Sequence, residues 1–442
     1  MQTKQYCSIS TFLLFCCLYM SIIGCNTSSN SGNDSNSPQA IQTKVLSLAD
    51  IQNFDSQTLE DDFDEFVQDN NDFALDLYNE IKMTIDSGNL FLSPYSLSCA
   101  LAMVWAGAKG DTETQMAEVL NYSFSQVEMH ALFNKFSEKL NSNDVEDPEA
   151  FSLYISNSLW GQDGFNFEQN YLDIISENYG SGLNVLNFIS DPEKSRITIN
   201  TWVEEQTGNR IVDLFEEGQI ISETMFVLVN TIYFKADWLM QFNEDKTKKD
   251  DFITDGGDET IKIDMMNQIN EFMCAVGSDH QAIELPYKNE KVSMIIVMPI
   301  ETQFEAFEKT MSNNKIKSII SSMSKKQVSL SMPKFNFKYA PNAIESILQN
   351  MGMIDVFSFG TANFSGIAQE IRKIYPVVHK TFIKVDELGT EAAAASGIGG
   401  ITTGGSQIDL EMKINRPFIF LIADKETDSI LFIGRVMNPI AS

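Results

Sequence analysis

The chain has 442 residues, 43% of them hydrophobic, enough to bury a large core as one big domain or as about two to three ordinary ones. Its 61 acidic residues against 31 basic ones leave a net charge of −30. That charge repels polyanions, excludes nucleic acid as a partner held on a basic face, and suits a solvated surface on an exported protein.

The first segment reads as a targeting signal. Lys4 precedes an apolar run from Phe12 to Ile23 that is too short to span a membrane, and Gly24-Cys25 follows. The tetrapeptide Ile22-Ile23-Gly24-Cys25 resembles a bacterial lipobox, in which a signal peptidase cuts before the cysteine and that cysteine carries lipid. Residues 1–24 are then a signal peptide and Cys25 a lipidated N-terminus. The plain alternative is an ordinary secretory signal with release from the cell. Removing residues 1–24 also removes Cys7, Cys16 and Cys17, so no disulfide framework remains. Cys99 and Cys274 lie in apolar segments and are expected as free thiols.

Residues 26–43 are rich in Ser and Asn and cannot form a core, so residues 25–61 read as a disordered tether from the lipid. The pattern changes near Asp62, where Phe73, Leu77, Tyr78 and Ile81 recur at spacings that describe one face of a helix. Ser93-Pro94 starts a second helix that is apolar nearly all round and stops at Gly107-Ala108-Lys109-Gly110, which marks it as buried. Strand-like runs follow at 226–233, 292–298, 328–332, 419–422 and 430–433, interleaved with helical stretches at 196–206 and 342–351. Neither an internal repeat nor a second linker is visible. The fold class is α+β, in a single domain over residues 62–442.

Hydrolase signatures are missing: there is no G-x-S-x-G elbow, no H-E-x-x-H and no phosphate-cradling glycine loop. Three histidines, His130, His280 and His379, offer little for a catalytic triad or a metal cluster, and His379 between Val378 and Lys380 reads as a hydrogen-bonded core histidine. No catalytic residue, metal or cofactor is expected. The informative segment is Glu387-Leu-Gly-Thr-Glu-Ala-Ala-Ala-Ala-Ser-Gly397, which follows a strand-like Thr381 to Val385. Alanines are poor strand residues, but their smallness permits another use. If the segment entered a sheet, Thr390, Ala392, Ala394, Ser396 and Ile398 would share one uncharged face and Glu391 would stay on the other, in water.

The run GTEAAAAS, with Glu387 three residues before Thr390, is similar to the hinge of inhibitory serpins. Further segments resemble that family in the right order: NLFLSPYSLSCALAMVWAGAKGDT (89–112), FVLVNTIYFKADWLMQF (226–242), SLSMPKFNFK (329–338), VVHKTFIKVDELGTEAAAA (377–395), and INRPFIFLI with FIGRVMNP (414–439). The resemblance covers about residues 65 to 439. It implies a fold of about three β-sheets and about nine helices with an exposed reactive-centre loop, here near residues 387–413, that inserts into the central sheet after a serine protease cuts it.

By position, Glu387, Gly389, Thr390, Glu391, Ala392, Ala393, Ala394 and Ala395 resemble the hinge. Ser93, Ser96, Asn230 and His379 resemble the polar shutter beneath the parting strands, and Trp238 the tryptophan where insertion begins. Counting forward from Glu387 by the family's spacing gives Thr403-Gly404 as the reactive bond, whereas counting back from Pro417 points near Ser406. The loop is therefore longer than in typical members, and Gly397, Gly399, Gly400, Gly404 and Gly405 add freedom that costs entropy in a protease cleft.

The resemblance implies a monomeric, non-enzymatic suicide-substrate inhibitor whose partner is a serine protease held as a covalent acyl-enzyme, with the membrane engaged through the N-terminal lipid. No Arg, Lys or large aromatic residue stands in 401–406, which suits an elastase-like or subtilisin-like pocket. The rival reading is a non-inhibitory serpin-fold binding or storage protein, for which charged or bulky residues between Thr390 and Ala395 would be tolerated. For the anchor, Cys25→Ala should release the protein from the membrane fraction. An N-terminus other than residue 25 in the native host, or one lacking acyl mass, would contradict lipid attachment; more than one acyl chain is expected there, since a single chain binds a membrane only marginally.

Overall fold

The computed structural model describes residues 39–40, 60–85, 87–141, 151–254, 259–288, 290–390 and 407–440. Nine α-helices occur among them: α1 Phe63–Met83, α2 Pro94–Trp105, α3 Asp111–Val119, α4 Gln126–Asn141, α5 Gln169–Tyr179, α6 Pro192–Gln206, α7 Phe304–Glu308, α8 Asn313–Ser321 and α9 Ile344–Met351. The signal peptide, Cys25 and nearly all of the tether lie outside the described residues. Two tether residues, Gln39–Ala40, form a short strand, β1.

A seven-stranded sheet runs in the order β1, β4 (Leu183–Leu186), β3 (Phe151–Gln162), β5 (Phe226–Asp237), β13 (Gly389–Thr390), β12 (Val377–Val385) and β11 (Phe335–Tyr339). The other strands are β2 Leu90–Leu92, β6 Lys248–Ile253, β7 Thr260–Val276, β8 His280–Pro286, β9 Val292–Pro299, β10 Ser324–Pro333, β14 Leu410–Lys413, β15 Phe418–Asp424 and β16 Ser429–Val436. These make one nine-stranded sheet. The second and third sheets implied by the resemblance are joined because β7 is 17 residues long and lies in both: it pairs with β6 at its start, β8 at its end and β10 along most of its length.

The segment 226–237 is apolar on consecutive positions, not on alternate ones, because both faces of β5 are covered. Leu228, Ile232 and Phe234 pack in the main core, where the α2 helix lies between α1, β5 and β16. Val227 and Val229 face a second cluster with Trp160, Ile199, Val203 and Phe215, supplied largely by α6 and the loop after it. α2 starts at Pro94, whose missing N–H costs nothing in the first turn, and all its residues except Cys99 are buried. The face of α1 expected from its spacing, with Phe73, Leu77, Tyr78 and Ile81, is fully buried.

One buried ion pair ties these layers together. Glu308, at the end of α7, accepts from both Arg435 Nη1 (3.0 Å to each carboxylate oxygen) and Tyr78 Oη (2.5 Å), while Arg435 Nε donates to Gly88 O at 3.1 Å. The two charged side chains are only 8% and 5% exposed, so neither can fall back on water. Glu308→Ala leaves the guanidinium buried without its counter-charge. It should cost about 3–5 kcal/mol in urea unfolding at neutral pH, and a loss below about 1 kcal/mol would mean that Arg435 finds another partner.

Candidate functional site

The strands β5 and β12 are parallel neighbours over part of their length only. Leu228 to Ile232 pair with Val377 to Thr381, and above that point the strands part. β13 sits in the gap, antiparallel to both, with Thr390 opposite Ala236 on one side and Val385 on the other. Sequence reading placed Gly389 and Thr390 in a hinge; the structure seats them inside the central sheet. Gly389 is required there by contact: a Cβ would lie 2.1 Å from Ala236 O and 2.7 Å from the Asp237 Cα.

The turn that aims β13 is fastened at every residue. Asp386 N–H donates to Gly389 O at 2.9 Å, and the Leu388 N–H donates to Asp386 Oδ1 at 3.1 Å. Trp238 holds the turn from β5: its backbone N–H donates to Leu388 O at 2.8 Å and its indole Nε1 to Asp386 O at 3.0 Å. The indole stacks on Tyr287 with centroids 4.6 Å apart, and the Tyr287 hydroxyl and Thr390 Oγ1 are hydrogen-bonded at 2.7 Å. Trp238 thus fastens the turn that leads into β13. Tyr287, which carries that contact onward, has no signature in sequence.

Glu387 is 4% exposed, and its carboxylate meets Lys334 Nζ at 2.6 Å and Thr247 Oγ1 at 2.7 Å. Burial pushes its pKa up, but the Lys334 and Thr247 hydrogen bonds outweigh that and hold the carboxyl below its usual range. Lys334 lies within the SLSMPKFNFK segment, but nothing in the sequence paired it with Glu387.

Below β13 the structure brings Ser93, Ser96, Asn230 and His379 together. His379 and Asn230 are register partners across β12 and β5. Ser93 N–H donates to His379 Nε2 at 3.2 Å, so the ring proton sits on Nδ1 and is donated to Asn230 Oδ1. Asn230 Nδ2 in turn reaches Ser96 O (2.9 Å), Ser96 Oγ (2.6 Å) and Asn157 Oδ1 on β3. Ser93 Oγ does not cap α2; it donates to Leu431 O on β16 at 2.8 Å, and Thr381 Oγ1 donates to Phe91 O at 2.7 Å. Burial lowers the His379 pKa to about 3, so the ring is neutral. It is the hydrogen-bonded core histidine that its neighbours suggested, 1% exposed. Cys99 and Cys274 are free thiols. The remaining hinge positions Glu391, Ala392, Ala393, Ala394 and Ala395, and the reactive-bond candidates Thr403, Gly404 and Ser406, lie outside the described residues.

This geometry defines a class: a protein whose central sheet is open at one end and holds the first residues of its own loop as a nascent strand. The family model described as serpin, serine protease inhibitor, matches residues 68–439. The chain belongs to the serpin family. It is 32% identical over 437 residues to an uncharacterized serpin-like protein of Methanosarcina mazei, covering 98% of each chain. It is 36% identical over 374 residues to the leukocyte elastase inhibitor of Xenopus laevis, covering 83% of this chain and 97% of that one. The crystal structure of the thermophilic serpin tengpin in its native state superposes with a TM-score of 0.75 at 28% identity, covering 88% of this chain and 95% of the other.

The shutter predicts a pH dependence. His379 titrates near 6.5 when unfolded and about 3 when folded, so the unfolded chain binds more protons between these values. Stability is therefore fully present above about pH 6.5 and falls as the pH drops, by about 2 kcal/mol between pH 7 and 5 for this one group. Buried His130, also lowered to about 3, adds a like slope, and Asp69, raised to about 6 by burial, opposes both. The difference between the wild type and His379→Gln isolates the term: urea midpoints should converge as the pH falls from 7 to 5, and parallel curves would refute it.

Proposed function

We propose that the protein is a suicide-substrate inhibitor of serine proteases. The seating of Gly389 and Thr390 between β5 and β12 carries this reading, because both neighbours offer the same register to whatever follows. Counting down from Thr390 in steps of two, Ala392 would meet Phe234 and Ile383, Ala394 would meet Ile232 and Thr381, and Ser396 would meet Asn230 and His379. Those flanking positions are already filled with large or hydrogen-bonded side chains facing the core. Only small uncharged residues can be added on that face, and the segment supplies them.

In the proposed cycle the protease serine Oγ attacks the Thr403 carbonyl, the ester forms, and the bond to Gly404 nitrogen breaks with the proton passing to that amine. The freed segment then enters the sheet, exchanging one parallel ladder between β5 and β12 for two antiparallel ones. The acylated protease travels with it. The small residues around Thr403 support an elastase-like or subtilisin-like target, in line with the leukocyte elastase inhibitor among the relatives. The lipobox-like Ile22-Ile23-Gly24-Cys25 supports encounter outside the cytoplasm, from a lipid anchor at the cell surface or facing the periplasm.

Two measurements decide it. Incubation with an elastase-like protease should give a complex that survives denaturing electrophoresis and releases a peptide beginning at Gly404. Cuts scattered from Gly397 to Gln407 with no complex would favour the non-inhibitory binding or storage reading. Because Thr390 is already seated beside Tyr287, Thr390→Arg should expel it from the sheet; insertion after cleavage would then have to bury an unpaired charge, at a cost of about 3 kcal/mol or more, and so lag behind deacylation. The variant should be cleaved as a substrate with the complex lost. An unchanged inhibitory stoichiometry would overturn the mechanism.

A further inference from the structure

The pairing of the seven-stranded sheet sets one of its ends apart. Gln39 pairs with Val185, Val185 with Gly161, Gly161 with Phe226 and Phe226 with Tyr375, so these residues form a single row across β1, β4, β3, β5 and the residue that leads into β12. At about 4.8 Å per strand the row is ~20 Å wide. The hinge lies at the opposite end. Thr390 pairs with Ala236, ten residues further along β5 and so about 33 Å from the row.

The end marked by this row is ringed with exposed apolar side chains. Ile189 is 60% exposed, and its N–H donates to Gln162 Oε1 at 3.2 Å, next to Gly161. Ile221 N–H donates to Thr224 Oγ1 at 3.1 Å, in a loop whose Met225 O accepts from Gln162 N–H at 3.0 Å. Ile374 N–H donates to Val356 O at 3.1 Å, which brings the loop of Ile354 and Phe359 beside Tyr375. Phe359 is 72% exposed, and Ile221, Ile354 and Tyr375 are exposed as well. Lys373 Nζ lies over the Tyr375 ring at 4.8 Å. Arg372 and Lys373 share this end with Asp163, Glu223 and Glu370, so its charges are mixed although the chain carries −30.

Apolar and aromatic side chains among charges of both signs suit the boundary between lipid headgroups and acyl chains, where each can leave water. The course of the chain points to the same occupant. Gln39 stands fourteen residues after Cys25, a length that spans at most about 50 Å at full extension. A lipid on Cys25 is therefore held close to this end of the sheet, with the hinge further off.

We infer that this end is a membrane-docking face, at which Ile189, Ile221, Ile354, Phe359 and Tyr375 enter a phospholipid surface and the hinge points away from it. A tether makes weak insertion sufficient, because it holds the body near the surface at an effective concentration of about millimolar. Docking in the cell rests on the lipid-anchor reading above, and its use, presenting the reactive loop to an incoming protease, rests on the inhibitor reading.

The test holds the chain from Asn26 onward by an N-terminal histidine tag on phosphatidylcholine vesicles that contain a nickel-chelating lipid. Amide hydrogen exchange is compared on and off the vesicle. Exchange at 354–360 and 372–375 should slow by about fivefold on the vesicle, and exchange at β6, next to the hinge contact at Thr247, should not change. The slowing should survive ~1 M salt, where charges are screened within about 3 Å. Replacing Ile354 and Phe359 together by Ser should remove it and leave the urea midpoint unchanged, since both side chains are exposed. Ile269→Ser, at an exposed position on β7, should keep it. Equal exchange on and off the vesicle, slowing at β6 as well, or loss of the slowing in salt would overturn the docking face. Slowing in free solution that grows with protein concentration would assign the face to a second copy and overturn it too. An unlipidated Cys25 in the native host would refute the anchor, and a lack of protease complexes the inhibitor; neither alters what exchange reads at this face.

Discussion

Everything in this fold turns on the seam between β5 and β12. Over Leu228 to Ile232 the two strands are hydrogen-bonded directly, and above it they are held apart by Gly389 and Thr390. A parallel ladder that short contributes little on its own, and its replacement by two antiparallel ladders with a longer strand is favourable whenever the entering side chains fit. The two strands are thus joined directly over that stretch and through β13 above it.

The restraints are polar, and each is buried. His379, Asn230, Ser93 and Ser96 form a cluster that crosses the seam and reaches α2 and β16, so parting the strands strips hydrogen bonds that no water can at once replace. At the open end, Trp238, Tyr287 and the Glu387 to Lys334 pair fix where the turn sits and so set the register of anything entering below Thr390. Neither cluster has the nucleophile and base pairing of a hydrolase. They hold β13, its turn and the seam below it in place.

The same logic places the layers around the sheet. β5 is buried on both faces, by α2 on one side and α6 on the other, so the seam cannot open without movement of an edge. On the side of β3 and β4, β3 pairs with β5 from Phe151 to Gly161. On the other side β11 and β12 are tied to β2 through Thr381 and Phe91. Stability in such a protein is distributed between layers, as the buried Glu308, Arg435 and Tyr78 cluster shows by linking α1, α7 and β16.

By itself the sequence determined the α+β class and the buried α2, and it singled out the small-residue segment behind Glu387. These are local properties: apolar spacing, Ser-Pro and Gly punctuation, and a run of small residues behind Glu387 can each be read without neighbours. The family resemblance also named His379, Asn230, Ser93, Ser96 and Trp238, though it said nothing of which atoms meet. Tertiary structure alone decided that Ser93 serves the histidine and β16 but does not cap its helix, that Glu387 is paired with Lys334 and Thr247, and that Tyr287 receives Thr390. It also decided that two of the expected sheets run together through β7. The reason is separation along the chain: Thr390 and Tyr287 are 103 residues apart, and Asn230 and His379 are 149 apart. Spacing patterns carry no information over such distances, because only the packing of whole layers brings these residues face to face.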